Sequence, residues 1–353
     1  MSRKKIISYK PVKSIAWDDE SAEKHKYDWN EADCLLPDSI QEKITNFLKG
    51  PMSNWYPNIN ETEINKGIAD YNSCKSSEIL LSPGSDYAHE IILKYISKNT
   101  NARCLIIGPT YDNFRSTAET ILEKTTIWDF WLRNNGLEDL LHEHLEAFDL
   151  VYICSPNNPT GDIISKNILE RILNKNPKIK FLIDEAYMDF HLELSAVSLI
   201  NLYQNLIISR TFSKAWGLAS FRVGYIVTNT NLVNDLRLFG NIKHVNQFAK
   251  IALSVVLNDN NYMLNYISKI QKNRLFLLDW LPKAIPELIS ASSNYGNFIL
   301  LEFNSEKSQE EFYIKCSNHS FYVRSLSHLK GFEKHIRLTI PTSKGLDILI
   351  DLY

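Results

Sequence analysis

LVYICSPNNPTGDIISKNILERILNKNPKIKFLID, residues 150–184, contains a strand, a turn, a helix and a second strand in that order. Residues 150–155 and 180–184 are short runs of large apolar side chains, as in strands that are buried on both faces. The segment at 168–173 between them has helical periodicity. This alternation predicts parallel strands with helices packed on the sheet.

The same alternation extends outward from this stretch in both directions. Further apolar runs that end in small or polar residues lie at 78–82, 104–108, 206–209 and 222–228. Residues 87–97 have helical periodicity. The predicted fold class is therefore α/β, a large domain with a mostly parallel sheet flanked by helices, followed by a smaller α+β domain.

The pattern changes after about residue 235. Residues 248–280 have helical periodicity over a long stretch, and a break flanked by Pro282 and Pro286 follows. Strand-like runs lie at 297–303 and 337–340.

These changes divide the chain into three parts. We predict a large domain at 46–235 and the smaller domain at 236–353. Residues 1–45 are polar and irregular, and we expect them to pack on the smaller domain or on a partner subunit.

The charge and the cysteines narrow the class of protein. The chain has 39 basic and 41 acidic side chains and a net charge of -2, which does not favour binding to nucleic acid or to an acidic membrane surface. Five scattered cysteines, none in a Cys-x-x-Cys pair, favour free thiols in a reducing compartment. With neither a signal-like start nor an apolar run that approaches a membrane span of about 18 residues, we expect a cytoplasmic enzyme.

In open α/β sheets ligands bind beyond the carboxyl ends of the strands, so the residues after each apolar run are candidates for a site. In SRTFSKAWGLASFRVG, residues 209–224, Lys214 follows a buried strand. Hydroxyl groups flank it at Thr211 and Ser213, and Arg222 comes eight residues later. Desolvation near a sheet edge can lower the pKa of a lysine, and its neutral amine can then condense with an aldehyde.

Two other strand ends carry polar side chains. In KFLIDEAY, residues 180–187, an apolar strand is followed by Asp184 and, three residues later, Tyr187. If these residues bind no ligand, Asp184 is a helix cap and Tyr187 is a core aromatic. Asn158 lies in CSPNNPTG, a sequence that is equally typical of an ordinary strand-to-helix turn.

A phosphate site requires backbone amides at the start of a helix, and SPGSDYAH, residues 82–89, lies where a strand gives way to a helix. Gly84 permits close approach, and the amides of Ser85 and Asp86 are expected to face the anion. The alternative for Ser85 is a simple N-cap.

Together these motifs resemble those of class I/II, fold type I pyridoxal-phosphate aminotransferases, and within them histidinol-phosphate aminotransferases. The resemblance runs from about residue 30 to residue 337 in family order. It implies that pyridoxal 5'-phosphate forms an imine (Schiff base) with Lys214, which then carries the proton. Asp184 would pair with the pyridine nitrogen, and Asn158 and Tyr187 would hydrogen-bond the ring hydroxyl.

The resemblance also implies the other contacts of the cofactor. Arg222, Thr211 and Ser213 would complete the phosphate site of Gly84, Ser85 and Asp86. Tyr111, in GPTY, would stack on the ring, and Tyr56, in WYP, would reach the phosphate from the neighbouring subunit. If Tyr56 has this role, the active unit is a homodimer with a shared site. The alternative for both Tyr111 and Tyr56 is a core aromatic without contact to the cofactor.

For the substrate, the resemblance implies that Arg337 grips a carboxylate or phosphate, a task for which a planar guanidinium is suited. Arg324 would be a second anion contact or simply a surface arginine, and Asn30 belongs to the segment that recognises substrate. That segment is Asn-Glu-Ala-Asp here and Asn-Glu-Asn-Pro in the family. A second difference is Thr-Ile-Pro at 339–341, where the family has Thr-Val-Gly. Because both differences lie where substrate is recognised, the resemblance does not identify the substrate.

The implied activity is amino transfer from an amino acid or amino phosphate to a 2-oxo acid such as 2-oxoglutarate. One alternative is a decarboxylase of the threonine-phosphate decarboxylase type, which shares the fold and the motifs. A second is a non-catalytic binding protein with the same fold. No metal site is predicted.

Overall fold

A computed structural model describes residues 24–131 and 136–353. Of the predicted N-terminal part, residues 1–23 thus lie outside the described residues. The strands are, in chain order, β1 (His25–Lys26), β2 (Ile79–Ser82), β3 (Arg103–Gly108), β4 (Lys124–Asp129), β5 (Leu150–Cys154), β6 (Lys180–Asp184), β7 (Leu206–Thr211), β8 (Gly224–Thr228), β9 (Leu288–Ser292), β10 (Phe298–Phe303), β11 (Phe321–Tyr322), β12 (Arg324–Ser325) and β13 (His335–Thr339).

Seven of these strands form the main sheet in the order β2-β8-β7-β6-β5-β3-β4. β8 runs antiparallel to both of its neighbours, and the other pairs are parallel. The predicted mostly parallel α/β sheet is therefore confirmed. The parallel order brings the carboxyl ends of β5, β6 and β7 to one edge of the sheet.

Neighbouring residues of one strand belong to different hydrophobic clusters. In β3, Leu105 and Ile107 pack into one cluster, while Cys104 and Ile106 pack into another on the opposite face of the sheet. Because helices cover both faces, every position in such a strand is apolar, which explains the continuous runs in the sequence.

The helices are α1 (Asp38–Lys49), α2 (Thr62–Asn72), α3 (Gly84–Ile96), α4 (Asp112–Ile121), α5 (Lys166–Lys175), α6 (Thr230–Arg237), α7 (Gln247–Val256), α8 (Asn261–Ala284), α9 (Glu306–Asn318) and α10 (Ser343–Asp351). The single long helix expected at 248–280 was wrong, because the polar residues at 258–260 separate α7 from α8. α8 ends between Pro282 and Pro286, where a break was predicted, although Pro282 itself lies inside the helix.

Two differences concern the main sheet. The sequence reading missed β4, an edge strand with several exposed residues, because exposure leaves no continuous apolar run. β8 begins at Gly224 rather than at Arg222, whose backbone has a left-handed φ of 52° and ends a short 3-10 turn.

The C-terminal part contains a four-stranded antiparallel sheet in the order β12-β13-β10-β9. β1 pairs in parallel with β11, so residues near the N-terminus contact the C-terminal part of the chain. Within residues 24–131 and 136–353, no helix has the length and apolar character needed to cross a lipid bilayer.

Candidate active site

A cleft opens at the carboxyl ends of β5, β6 and β7. Its position follows from the parallel order of these strands, which places the residues after them side by side. Apart from Tyr56, the side chains predicted to hold a cofactor converge on it, although their segments are far apart in the sequence. The cleft is lined by Ser85, Asp86, Tyr111, Cys154, Asn158, Asp184, Ala186, Tyr187, Thr211, Ser213, Lys214 and Arg222.

Lys214 points its amine into this cleft. Nζ donates a hydrogen bond to the carbonyl oxygen of Trp29 (2.7 Å) and lies 5.6 Å from the centre of the Tyr187 ring. Burial lowers the pKa of Lys214 to about 8, although the negative charge of Glu31 opposes this shift. At pH 7 about a tenth of such amines are neutral, compared with fewer than about one in a thousand for an ordinary lysine. The amine is therefore available as a nucleophile.

Asp184 is a buried carboxylate surrounded by donors. Oδ2 accepts a hydrogen bond from the Tyr152 hydroxyl (2.8 Å). Oδ1 accepts from the backbone N–H of Ala186 (3.2 Å) and from the Ser209 hydroxyl (3.3 Å). These donors hold the side chain in one orientation at the floor of the cleft, where an ionised carboxylate can pair with a cationic ring nitrogen.

One end of the cleft, where the phosphate site was predicted, is formed by the first turn of α3. Gly84 has a φ of +81°, and a Cβ atom there would lie 2.8 Å from Nη2 of Arg222. Arg222 contacts Oδ2 of Asp86 through Nη2 (3.3 Å), and the Thr211 hydroxyl donates to the Ser213 hydroxyl (2.9 Å). The helix starts at Gly84 after Pro83 and has no side-chain cap, so the alternative of a Ser85 N-cap was wrong.

Tyr111 closes one wall of the cleft. Its hydroxyl donates to Oδ1 of Asp86 (3.0 Å), and burial together with the charge of Asp86 raises the pKa of Tyr111 well above its usual value. The phenol is therefore protonated and its ring is fixed. A flat aromatic group could stack against it.

Arg337 is joined to the lining of the cleft through Asn158, and Arg324 is the neighbour of Arg337 on β12. In Arg337, Nη1 donates to Oδ1 of Asn158 and Nη2 to the carbonyl oxygen of Asp28, both at 2.5 Å. Arg324 is opposite Arg337 in the β12–β13 register, so the two side chains leave the sheet on the same face. Burial and the nearby charge of Arg324 lower the pKa of Arg337. Two guanidinium groups so close together favour an anionic ligand.

Asn30 belongs to a segment that crosses the cleft. Its side chain donates to the Tyr187 hydroxyl (3.0 Å), and its backbone N–H donates to the Thr339 hydroxyl (3.1 Å). Burial raises the pKa of Tyr187 to about 12, so this phenol keeps its proton at neutral pH. The two residues before Asn30 also contact the site through their backbone carbonyls. Trp29 accepts a hydrogen bond from Lys214, and Asp28 accepts one from Arg337.

Tyr56 does not reach the cleft of its own chain. Its side chain is exposed, with 79% of its surface accessible, and Nζ of Lys243 lies 4.0 Å from its ring centre. Its predicted role in a neighbouring subunit stays a prediction.

Sequence reasoning missed the groups around Asp184. Tyr152 lies two residues before Cys154 on β5, so strand alternation could have placed it on the same face. Ser209 is the register partner of Asp184 on β7. His89 is a single polar residue on the buried face of α3, a position that by itself indicates only a core histidine.

The cleft fits pyridoxal phosphate in its donor set. It offers the Lys214 amine, whose pKa is lowered, and the oriented carboxylate of Asp184. Beside them, the guanidinium of Arg222 and two hydroxyl groups surround the start of α3, where Gly84 has no Cβ atom to obstruct a ligand.

Comparisons with known proteins agree with this geometry. The family model for aminotransferase class I and II matches residues 24–352. A dihydroxyacetone phosphate transaminase of Campylobacter jejuni is 32% identical over 98% of this chain and 94% of its own length. A histidinol-phosphate aminotransferase of Buchnera aphidicola is 30% identical over 89% of this chain and 87% of its own.

A solved structure shows the same fold. The histidinol-phosphate aminotransferase from Clostridium acetobutylicum superposes with a TM-score of 0.83 at 25% identity, over 93% of this chain and 97% of that one. The chain therefore belongs to the class I and II aminotransferase family, with the fold type I architecture, the transaminase class of enzyme and the pyridoxal phosphate cofactor that membership in this family implies.

Proposed function

We propose that this aminotransferase exchanges an amino group between a small phosphorylated compound and a 2-oxo acid such as 2-oxoglutarate. The observation that carries the proposal is the environment of Arg337. Its hydrogen bonds go to an amide oxygen and a backbone carbonyl, both neutral, and within the described residues its buried Nε has no hydrogen-bond partner. The Asp28 carboxylate acts on Arg337 electrostatically, but none of the hydrogen-bond partners of Arg337 in the described residues is charged, and a substrate phosphate would provide a charged one.

The relatives support this choice of substrate. The similar proteins from Campylobacter jejuni and Buchnera aphidicola are named for dihydroxyacetone phosphate and histidinol phosphate. Both compounds carry a phosphate on a short carbon chain, and Arg324 gives this chain a second guanidinium group near Arg337.

The proposed roles of the other residues follow from their positions. When bound, pyridoxal phosphate withdraws electrons from the substrate carbon that carries the nitrogen. Asp184 holds the charge at the ring nitrogen, and the Tyr187 hydroxyl and Asn158 orient the ring hydroxyl. The amine of Lys214 would take the proton from that carbon and would return it to the carbon on the other side of the nitrogen. Gly84, Ser85, Asp86, Thr211, Ser213 and Arg222 hold the cofactor phosphate, and Tyr111 covers the ring.

The test is a pair of complete transamination assays on purified protein with cofactor. Dihydroxyacetone phosphate with glutamate, and histidinol phosphate with 2-oxoglutarate, are each compared with the same compound lacking phosphate. We expect turnover with at least one phosphorylated compound and a much lower kcat/KM for its unphosphorylated partner. Equal rates for both members of each pair would contradict the proposal. Release of carbon dioxide from threonine phosphate, assayed separately, would indicate the decarboxylase alternative, and a colourless protein that binds no cofactor would indicate a binding protein.

We also propose that the enzyme is a homodimer. Several large apolar side chains close to Tyr56 in the sequence are exposed, as expected of a segment that a partner subunit covers. They are Leu48, Met52, Trp55 and Ile59. Mixing inactive Lys214→Ala and Tyr56→Ala proteins tests this, because a shared site restores activity in one of the two clefts of a mixed dimer. No recovery in dimers shown to be mixed would contradict the shared site.

A cytoplasmic location remains our proposal. Its support is that Cys34, Cys74, Cys104, Cys154 and Cys316 are all free thiols, as is usual in reducing compartments. Fractionation of the source cells tests it.

A further inference from the structure

We propose that His89 is a positioning residue that acts through Ser209 to fix the orientation and the negative charge of Asp184. The inference rests on the proposed role of Asp184 as the partner of the cofactor's ring nitrogen. His89 does not line the cleft, and Asp184 is the one residue with an assigned role toward the cofactor or substrate that it is seen to contact within the described residues.

The position of His89 is unusual for a core residue. It lies on α3, one and a half turns after Gly84, and only 1% of its surface is accessible. Its ring meets the rings of Phe114 and Tyr152 edge-on, with centres 5.3 and 5.8 Å apart. Those two rings stack on each other with their centres 3.6 Å apart. The imidazole packs against the edges of this stacked pair, which limits its rotation.

The imidazole points one nitrogen at the group that holds Asp184. Nε2 of His89 lies 2.9 Å from the Ser209 hydroxyl and 3.5 Å from Oδ2 of Asp184. Ser209 in turn contacts Oδ1 of Asp184 at 3.3 Å. A histidine on one helix and a serine on β7 thus converge on a carboxylate at the end of β6.

The direction of the hydrogen bonds follows from the number of protons. A carboxylate can only accept, so the single hydroxyl proton of Ser209 goes to Asp184. The serine oxygen is then free to accept, and Nε2 of His89 must be the protonated nitrogen that donates to it. His89 therefore leaves the hydroxyl no alternative acceptor for its proton.

The second ring nitrogen decides the charge of His89. Within the described residues Nδ1 is buried without a hydrogen-bond partner. An unpartnered lone pair is less costly than an unpartnered buried N–H group of a charged ring, so we assign the neutral form with the proton on Nε2. A neutral imidazole leaves the full charge of Asp184 for the ring nitrogen of the cofactor, whereas an imidazolium would compete for it.

Three variants separate this role from simple packing. His89→Phe keeps a flat ring but has no N–H, while His89→Gln can place an N–H group where Nε2 lies. Ser209→Ala removes the intermediate hydroxyl. We expect His89→Phe and Ser209→Ala each to weaken cofactor binding by about five- to tenfold, the range that corresponds to the loss of one hydrogen bond. His89→Gln should stay within about threefold of the wild type, and the double variant should be no worse than either single one.

Two spectroscopic measurements report on the site directly. The nitrogen spectrum of the cofactor-free protein should show His89 protonated at Nε2 alone near pH 7. With cofactor labelled at its ring nitrogen, His89→Phe should shift the nitrogen signal toward that of the unprotonated ring, while His144→Gln, at a side chain that is 93% exposed, should leave it unchanged. A merely structural role for His89 would not move this signal.

The outcomes are distinct. A doubly protonated His89, or unchanged affinity and nitrogen signal in His89→Phe, overturns the inference. So do effects of His89→Phe and Ser209→Ala that simply add in the double variant. If His89→Phe does not fold, His89→Gln and Ser209→Ala still decide. Asp184→Asn separates the role of His89 from the proposed role of Asp184. If neither His89→Phe nor Asp184→Asn changes the nitrogen signal, the proposed role of Asp184 is wrong. If only Asp184→Asn changes it, only the role of His89 is refuted.

Discussion

Replacement of Gly84 by alanine adds one methyl group where the cofactor phosphate is expected to bind. The backbone there has a φ of +81°, and the new Cβ atom would lie 2.8 Å from Nη2 of Arg222. A left-handed backbone costs an alanine roughly 1–2 kcal/mol. The contact is too short for two heavy atoms that share no hydrogen bond, so the guanidinium of Arg222 must move away.

The loss of cofactor affinity follows from that movement. A hydrogen bond to a charged group contributes about 1.5–3 kcal/mol, and Arg222 belongs at the lower end because half of its side chain is exposed and it already contacts Asp86. About 1.5 kcal/mol corresponds to roughly a tenfold increase in the Kd of the cofactor. The strain should also lower Tm by roughly 1–3 °C, because the entropy of unfolding of a chain of this length is large.

Gly331 offers a matched control, because its φ is +85° and the residue is exposed in a loop of the C-terminal part. Fluorescence titration of cofactor-free protein measures Kd, and thermal unfolding measures the strain. We expect both alanine variants to lose similar stability, with only Gly84→Ala losing affinity. If Gly84→Ala binds cofactor as tightly as the wild type, the assignment of this helix start to the phosphate is refuted.

Three further predictions concern single side chains. Lys214→Ala should abolish the absorbance band of the covalently bound cofactor, and a variant that retains both band and turnover contradicts the role of Lys214. Because burial lowers the pKa of Lys214 from 10.5 to about 8, the unfolded chain binds one more proton between these pH values. The stability of the cofactor-free wild type relative to Lys214→Met should therefore rise between pH 8 and pH 10 in urea unfolding, and a constant difference would show an ordinary lysine. Arg337→Lys should raise KM for the phosphorylated substrate by at least about tenfold, since an ammonium cannot reproduce a two-pronged contact; an equal rise for the unphosphorylated compound would argue against a phosphate contact.

Much of the fold could be predicted from local sequence, because strands covered on both faces must be apolar at every position. β5 and β6 are examples, and all but one of their residues are buried. β4 escaped prediction for the opposite reason, since it is an edge strand and part of it faces solvent. The division of the expected long helix into α7 and α8 also escaped, because helical periodicity continues across the short polar turn between them.

Within the site, local sequence predicted the residues that belong to compact motifs. Lys214 and Asp184 each follow a buried strand directly, so strand ends locate them without knowledge of the fold. The partners of these residues are not local. Trp29 accepts the hydrogen bond of an amine 185 positions later in the chain, and no sequence spacing reveals such a contact.

The sequence by itself determined the chemistry of this protein, since a lysine, a carboxylate and a phosphate turn that follow apolar runs identify the cofactor and the family. Only the tertiary structure decided how these groups are held. It placed His89 and Ser209 behind Asp184, and it closed the cleft with a segment from the N-terminal region. The physical reason is that strand and helix signals depend on neighbours within a few residues, whereas the orientation of a buried polar group depends on donors that chain folding brings from distant segments.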